Sequence, residues 1–191
     1  QRFEFLLDGG NVGINRLDDG RLVGDDRTVD ALTTDTRKLE ADTSASMLFV
    51  AIKGENFDGN DYVAQAAARG ARAALVSRQA DVAIPQIVVA DTERALADLA
   101  AAVQRNRRTR VVAITGSNGK TSVKALTQAI FERAGTTYAT PGNRNNEIGL
   151  PLAVLDAPED AQFAIYEMGT GKPGDIAYLT RIAPPDIALV N

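Results

Sequence analysis

The chain has 191 residues, with 21 Lys+Arg against 25 Asp+Glu and a formal net charge of −4. That length holds one full domain or two small ones, and 45% apolar with 24% charged residues excludes a disordered or collagenous chain. With no Cys and no His, disulfides, thiol catalysis, Cys-ligated zinc and imidazole chemistry are excluded within this segment, leaving carboxylates, Lys, Arg, hydroxyls, backbone amides or a bound cation.

Residues 1–24 carry turn signals at Gly9-Gly10, Gly13, Asp18-Asp19-Gly20 and Gly24, with only short apolar runs such as Phe5-Leu6-Leu7 between them. Met47 to Ile52 is an apolar, partly β-branched run that predicts a strand. Tyr62 to Arg69 predicts an Ala-rich helix with Val63, Ala66 and Ala67 on one face, and Gly70 is placed to end it. Ala73–Val76 and Gln86–Ala90 predict two more strands. Asp91 then caps a helix whose Leu96, Leu99, Ala100 and Val103 recur at helical spacing. Strands alternating with helices mean an α/β protein.

A new unit begins after Thr109. Val111 to Thr115 is a continuous apolar run, the pattern of a strand covered on both faces. The Gly116–Ser122 turn follows, and then a helix expected to face Val123, Leu126, Ile130, Phe131 and Ala134 inward, with Gly135 at its end. Phe163–Tyr166 and Ile187–Val190 predict two further strands, the latter buried. The expected fold is therefore a small N-terminal α/β domain, residues 1–109, followed by part of a P-loop-type α/β domain with a mostly parallel sheet, residues 110–191. A start at Gln1 and a stop just after an apolar run suggest part of a longer chain.

Partners are bounded by charge and hydropathy. Residues 1–110 carry 15 basic and 17 acidic side chains and residues 111–191 carry 6 and 8, so each part stands at −2 and no nucleic-acid partner is expected. Arg105, Arg107, Arg108 and Arg110 form one basic cluster, read as a solvated helix C-terminus. No stretch approaches the ~20 apolar residues of a membrane span and no signal peptide opens the chain, so a soluble, cytoplasmic monomer is expected.

Strand, Gly-rich turn, Lys-Thr and helix together make a phosphate cradle. Glycines let backbone N–H groups converge on phosphate oxygens, the helix N-terminus adds positive potential, Lys120 supplies a cation and Thr121 a hydroxyl for Mg²⁺. The turn is shorter than G-x-x-x-x-G-K-[ST], since Ile114 stands where the first Gly belongs. Phosphoryl chemistry also needs a carboxylate for the metal near a neighbouring strand's end, and Glu167 occupies such a place. Asp156, Glu159 and Asp160 read as surface charges. Asn143, Arg144, Asn145 and Asn146, in a glycine-punctuated loop, can bond a polar, anionic ligand or simply shape the loop.

Ala113–Ser122 followed by Gly142-Asn143-Arg144-Asn145-Asn146-Glu147-Ile148-Gly149-Leu150-Pro151 closely resembles the Mur ligases of peptidoglycan synthesis, in the form of their D-alanyl-D-alanine-adding branch. Thr33-Thr34-Asp35-Thr36-Arg37 resembles the family's D-S-R uridine-site motif, and Leu48–Gly59 its L-F-V-A-L-K-G-x-x-F-D-G segment. The likeness runs from about Gly20 to Asn191. Departures are Thr36 for the usual Ser, Asn60 for a His, Gly171-Lys172-Pro173 for N-H-x, and Ala41–Ser46 for a shorter loop.

The resemblance implies an ATP-dependent amide ligase acting through an acyl phosphate, with UDP-N-acetylmuramoyl-tripeptide and D-Ala-D-Ala as substrates and ATP and Mg²⁺ as cofactors. It implies Lys120 and Glu167 as catalytic groups and Gly116, Ser117, Asn118, Gly119, Lys120, Thr121 and Ser122 around the phosphates. Thr121 and Glu167 would hold the metal. Thr34, Asp35, Thr36, Arg37, Lys53 and Gly54 would lie at the uridine end, with Asn143, Asn145 and Asn146 on the UDP-sugar. Arg37 has a second reading as a structural partner of Asp35. The family continues with a metal-binding His, a carbamylated Lys and a third domain beyond this segment, so the segment alone is expected to be inactive. Another Mur-type or folylpolyglutamate-type ligase, or a non-catalytic nucleotide-binding module, are the alternatives.

Overall fold

The computed structural model describes residues 5–6, 20–39 and 45–191, so most of the turn-rich opening and most of Ala41–Ser46 lie outside the described residues. The chain forms two compact units that part inside one helix, between Leu96 and Ala97.

The first unit is built on a five-stranded sheet. Its strands are β2 (Arg21–Val23), β4 (Ala31–Thr33), β5 (Met47–Val50), β6 (Ala73–Val76) and β7 (Gln86–Val88), in the order β2-β7-β6-β5-β4. β4 to β7 run parallel and β2 closes one edge antiparallel to β7. A two-stranded ribbon pairs β1 (Phe5–Leu6) with β3 (Thr28–Val29). Leu48, Phe49 and Val50 are all buried, as a strand covered on both faces requires. Phe49, Ala51, Ala74 and Val76 pack with Val63 and Ala66 of α1 (Val63–Ala68) and with Leu39. Gly70, at φ +99°, follows α1 in the left-handed conformation that lets a chain leave a helix.

α2 (Thr92–Asn106) begins as the sequence predicts, with Asp91 Oδ1 accepting from the N–H of Glu93 at 2.9 Å and of Arg94 at 3.0 Å. Its early turns belong to the first unit, where Thr92 Oγ1 donates to Ala51 O at 2.8 Å. Its last turns belong to the second, where Gln104 Oε1 accepts from Tyr166 Oη at 3.2 Å.

The second unit holds an all-parallel sheet of β8 (Arg110–Thr115), β9 (Thr137–Ala139), β10 (Phe163–Glu167) and β11 (Ile187–Val190), in the order β11-β8-β10-β9. α3 (Lys120–Phe131), α4 (Gly149–Asp156) and α5 (Asp175–Ile182) connect them. Chain connections leave β8 toward β9 and β10 on one side and reach β11 on the other. In open parallel sheets, ligands bind outside the carboxyl ends of the strands at such a reversal. Val111 to Ile114 are buried, in agreement with the continuous apolar run.

Three expectations are corrected here. Val123 and Phe131 of α3 pack on Val112, Ile114 and Ile165, but Leu126 and Ile130 are each 68% exposed and Ala134 is exposed too, because Lys124 and Thr127 turn inward instead. Among the described residues β11 pairs only with β8, and Ile187 and Val190 are exposed rather than buried. Arg107 is no solvated charge. It is half-buried and donates to Val154 O at 2.7 Å, and burial lowers its pKa. Asp156, Glu159 and Asp160 are exposed, Asp156 pairing with Arg144.

Candidate functional site

Strand register builds the centre of the second unit. β8 and β10 are adjacent and parallel, with Glu167 opposite Ile114, and Met168 N–H donates to Ile114 O at 2.8 Å. The Glu167 carboxylate therefore emerges beside the start of the Gly116–Ser122 loop. Gly116 has φ +140°, and a Cβ there would lie 1.8 Å from Asn191 O. Gly119, at φ +75°, is the N-cap of α3, a conformation that glycine adopts without steric cost. The first N–H groups of α3 have no partner within the helix and are available to an anion. Lys120 Nζ donates to Gly116 O at 2.8 Å, which folds its ammonium back over the loop. Ser117, Asn118, Thr121 and Ser122 are exposed, and Asn118 O accepts from Asn191 Nδ2.

Glu167 is 3% exposed and sits in a polar cluster. Its Oε1 accepts from Asn145 Nδ2 at 2.9 Å, and its Oε2 lies 3.4 Å from both Thr121 Oγ1 and Lys124 Nζ. Lys124 Nζ also donates to Thr140 O at 2.8 Å and Gly142 O at 2.9 Å. Thr140 Oγ1 accepts from Glu167 N–H at 3.3 Å and donates to Ile165 O at 3.1 Å. Gly169 N–H donates to Asn145 O at 2.7 Å, so the loop after β9 is tied to the end of β10 by side chain and backbone alike.

Thr121 and Glu167, 46 positions apart, thus lie side by side. Asn145 joins them, although its amide is spent on Glu167. Asn146 Oδ1 accepts from Gly149 N–H, the first of α4, at 2.7 Å, and Asn143 O accepts from Asn145 N–H at 2.8 Å. Lys124 and Thr140 were not legible as site residues. The one signal was a lysine breaking the apolar face of α3.

A hydroxyl beside a carboxylate is a hard-oxygen pair of the kind Mg²⁺ selects, and Mg²⁺ needs only one or two protein ligands when phosphate oxygens and water complete its shell. Among the described residues no cluster of three or more Asp, Glu, His or Cys competes for a metal. The donor set fits.

The remaining predicted residues lie in the first unit. Asp35 carries the 3-10 turn Thr36–Lys38, its Oδ1 accepting from Arg37 N–H at 3.0 Å, and Arg37 Nη2 lies 2.8 Å from Asp35 Oδ2. Hydrogen bonds from Arg37 hold the Asp35 carboxyl down at about 2. The structural pairing of Arg37 with Asp35 is therefore real. Thr34 precedes the pair, and Thr36 Oγ1 donates to Gln65 Oε1 at 3.2 Å. Lys53 is exposed and its backbone forms an isolated antiparallel β-bridge with Asp58, and Gly54 N–H donates to Phe57 O at 2.9 Å. A Cβ on Gly54 would lie 2.5 Å from the Phe57 ring. Asn60, in place of the expected His, is a buried hub: it donates to Asp58 and to Ser77 Oγ and accepts from the Ser77 N–H at 2.9 Å.

Two parallel-dominated sheets joined by helices define a mixed α/β protein with a phosphate-type loop at its second sheet. The Mur ligase family catalytic domain matches residues 28–115 and the Mur ligase middle domain matches residues 114–191, and the chain belongs to this family. It is 47% identical over 184 residues, 95% of this chain, to UDP-N-acetylmuramoyl-tripeptide–D-alanyl-D-alanine ligase of Escherichia coli (strain K12), covering 40% of that protein. The Bacillus subtilis (strain 168) protein of the same name is 41% identical over 85% of this chain and 35% of its own length. A crystal structure of MurF from Acinetobacter baumannii superposes with a TM-score of 0.79 at 38% identity, over 86% of this chain and 36% of that one. MurF from Thermotoga maritima in complex with ADP gives 0.75 at 34%, over 84% and 36%. The chain spans about two fifths of the length of the curated relatives it matches.

Proposed function

We propose that this chain supplies the UDP-sugar-binding domain, residues 1–109, and the first part of the ATP-binding domain, residues 110–191, of a ligase that adds D-Ala-D-Ala to UDP-N-acetylmuramoyl-tripeptide in peptidoglycan precursor synthesis. One observation carries the reading: the phosphate-type loop, Glu167 and the Asn143–Asn146 loop meet in a single cluster, with Thr121 Oγ1 3.4 Å and Asn145 Nδ2 2.9 Å from the two oxygens of Glu167. The substrate is supported by the names of relatives at 47% and 41% identity, and nucleotide use by the ADP complex of the Thermotoga maritima protein.

In this reaction an oxygen of the tripeptide's terminal carboxylate attacks the γ-phosphorus of ATP and ADP leaves, giving an acyl phosphate. The amine of D-Ala-D-Ala then attacks the acyl carbon, and the tetrahedral species expels phosphate as the amide forms. Gly116 to Ser122 offer backbone N–H groups to the phosphates, and Lys120 stabilises charge that develops on the transferred group. Thr121 and Glu167 would hold Mg²⁺, which screens phosphate charge when bound. Thr34, Asp35, Thr36, Arg37, Lys53 and Gly54 form the uridine end, and Asn143, Asn145 and Asn146 the loop over the sugar nucleotide. These substrates place the work in the cytoplasm.

The test is product formation. Full-length protein incubated with ATP, Mg²⁺, UDP-N-acetylmuramoyl-tripeptide and D-Ala-D-Ala is expected to give the pentapeptide by mass spectrometry, with continuous multiple-turnover ADP formation only when both the tripeptide and the dipeptide are present. Turnover with a single amino acid or glutamate in place of the dipeptide, and none with D-Ala-D-Ala, overturns it.

A further inference from the structure

The cluster contains a buried cation that no step above uses. Lys124 is 7% exposed, and lysine is almost never buried unless paired. An ammonium has three donors, and Lys124 Nζ has three acceptors in reach: Thr140 O at 2.8 Å, Gly142 O at 2.9 Å and Glu167 Oε2 at 3.4 Å. Two of these belong to the loop that leads into Asn143, and the third is the carboxylate assigned to the metal. The other carboxylate oxygen is held by Asn145 of the same loop, at 2.9 Å. Each oxygen of Glu167 is thus fixed by a separate donor, and Oε2 is left beside the Thr121 hydroxyl. A residue serving only to pack α3 against the sheet would be apolar, as Val123 and Phe131 are.

We propose that Lys124 is a positioning residue: its ammonium aims Glu167 Oε2 toward Thr121 and fastens the loop after β9, so that one side chain sets both metal site and substrate loop. This rests on the reading of Thr121 and Glu167 as metal ligands. Partners that orient a metal ligand without touching the metal typically account for about 10–100-fold in metal affinity.

The test reads Mg²⁺-dependent ADP binding by calorimetry on the full-length protein, in Lys124→Met, Glu167→Gln, the double variant and Lys124→Arg. Lys124→Met is expected to raise the Mg²⁺ concentration for half-maximal ADP binding by about 10–100-fold while ADP binding without Mg²⁺ stays the same. The double variant should be no worse than Glu167→Gln alone, because Lys124 acts through that carboxylate, and Lys124→Arg should recover part of the loss. If Lys124→Met does not fold, Lys124→Gln carries the same comparison. If that also fails to fold, Lys124 is a purely structural residue and the proposal is wrong. A folded Lys124 variant with an unchanged Mg²⁺ midpoint, or losses that add in the double variant, overturns it as well. A wild-type protein whose ADP binding ignores Mg²⁺ removes the metal-ligand reading and this proposal together. Mg²⁺-dependent wild-type binding with an indifferent Lys124 variant removes this proposal alone.

Discussion

Replacing Gly116 by Ala tests whether the loop after β8 is built as described. The substitution meets two obstacles. A residue with a Cβ at φ +140° is held in a sparsely populated backbone region, at about 1–3 kcal/mol. The new methyl would also lie 1.8 Å from Asn191 O, so that segment must retreat by more than an ångström. Retreat breaks two hydrogen bonds, Asn191 N–H to Thr115 O at 3.1 Å and Asn191 Nδ2 to Asn118 O. At about 0.5–1.5 kcal/mol each, the whole cost comes to about 2–6 kcal/mol. Gly142→Ala is the control: its φ is +60° and no atom lies within 4 Å of the added Cβ, so only the left-handed conformation is charged, at about 1–2 kcal/mol. Denaturant unfolding of the full-length variants, with ADP binding measured in parallel, separates them. Gly116→Ala should lose more stability than Gly142→Ala, by about 1–4 kcal/mol, and should lose nucleotide binding, which Gly142→Ala keeps. Equal stability in the two variants would refute the geometry assigned to the loop.

If the Lys120 ammonium acts on the transferred phosphoryl group as proposed, Lys120→Ala should lower kcat by about 10²–10³-fold while costing in stability only its hydrogen bond to Gly116 O, about 0.5–1.5 kcal/mol; steady-state kinetics and thermal denaturation check the two halves. Asp35 has a depressed native pKa of about 2, so its pairing with Arg37 favours the fold above the ordinary carboxylate value near 3.8 and is lost as pH falls toward 2; in Arg37→Ala, NMR titration should show the Asp35 carboxyl moving up. Burial pushes the Tyr138 phenol up to about 12 and raises that of Tyr166 as well, so the contribution of both is complete below pH 10 and declines above it, that of Tyr138 being lost as pH rises through about 12. The Tyr138 hydroxyl is buried with no hydrogen-bond partner among the described residues, so Tyr138→Phe should be neutral or stabilising and should flatten alkaline unfolding followed by circular dichroism.

The parts of the site that are contiguous in sequence were legible, and the parts made by register were not. Val111 to Thr115 announces a buried strand, and two glycines followed by Lys120-Thr121 announce the turn into α3, because local chemistry alone demands them. The meeting of Lys124 with Glu167, 43 positions on, depends on β8 and β10 being neighbours with Ile114 opposite Glu167, which no local pattern encodes. The same ammonium explains the rotation of α3. Satisfying Lys124 turns its face inward and carries Leu126 and Ile130 out, against the apolar periodicity. α4 was hidden for a different reason. Leu150, Pro151, Ala153, Val154 and Leu155 are all buried, so the helix has no polar stripe to mark its period, and Pro151 sits in the first turn, where its missing N–H costs nothing. Arg107 misled because a run of arginines looks solvated until Val154 O is placed beside one of them.

If the phosphate loop serves to activate a carboxylate as proposed, the fate of one oxygen will show it. Full-length protein should be given UDP-N-acetylmuramoyl-tripeptide carrying heavy oxygen in its terminal carboxylate, with ATP, Mg²⁺ and D-Ala-D-Ala. An acyl phosphate passes one carboxylate oxygen to the departing phosphate, so each phosphate released should carry one heavy oxygen, with ADP unlabelled. Label appearing in AMP, or unlabelled phosphate accompanying amide formation, would contradict it.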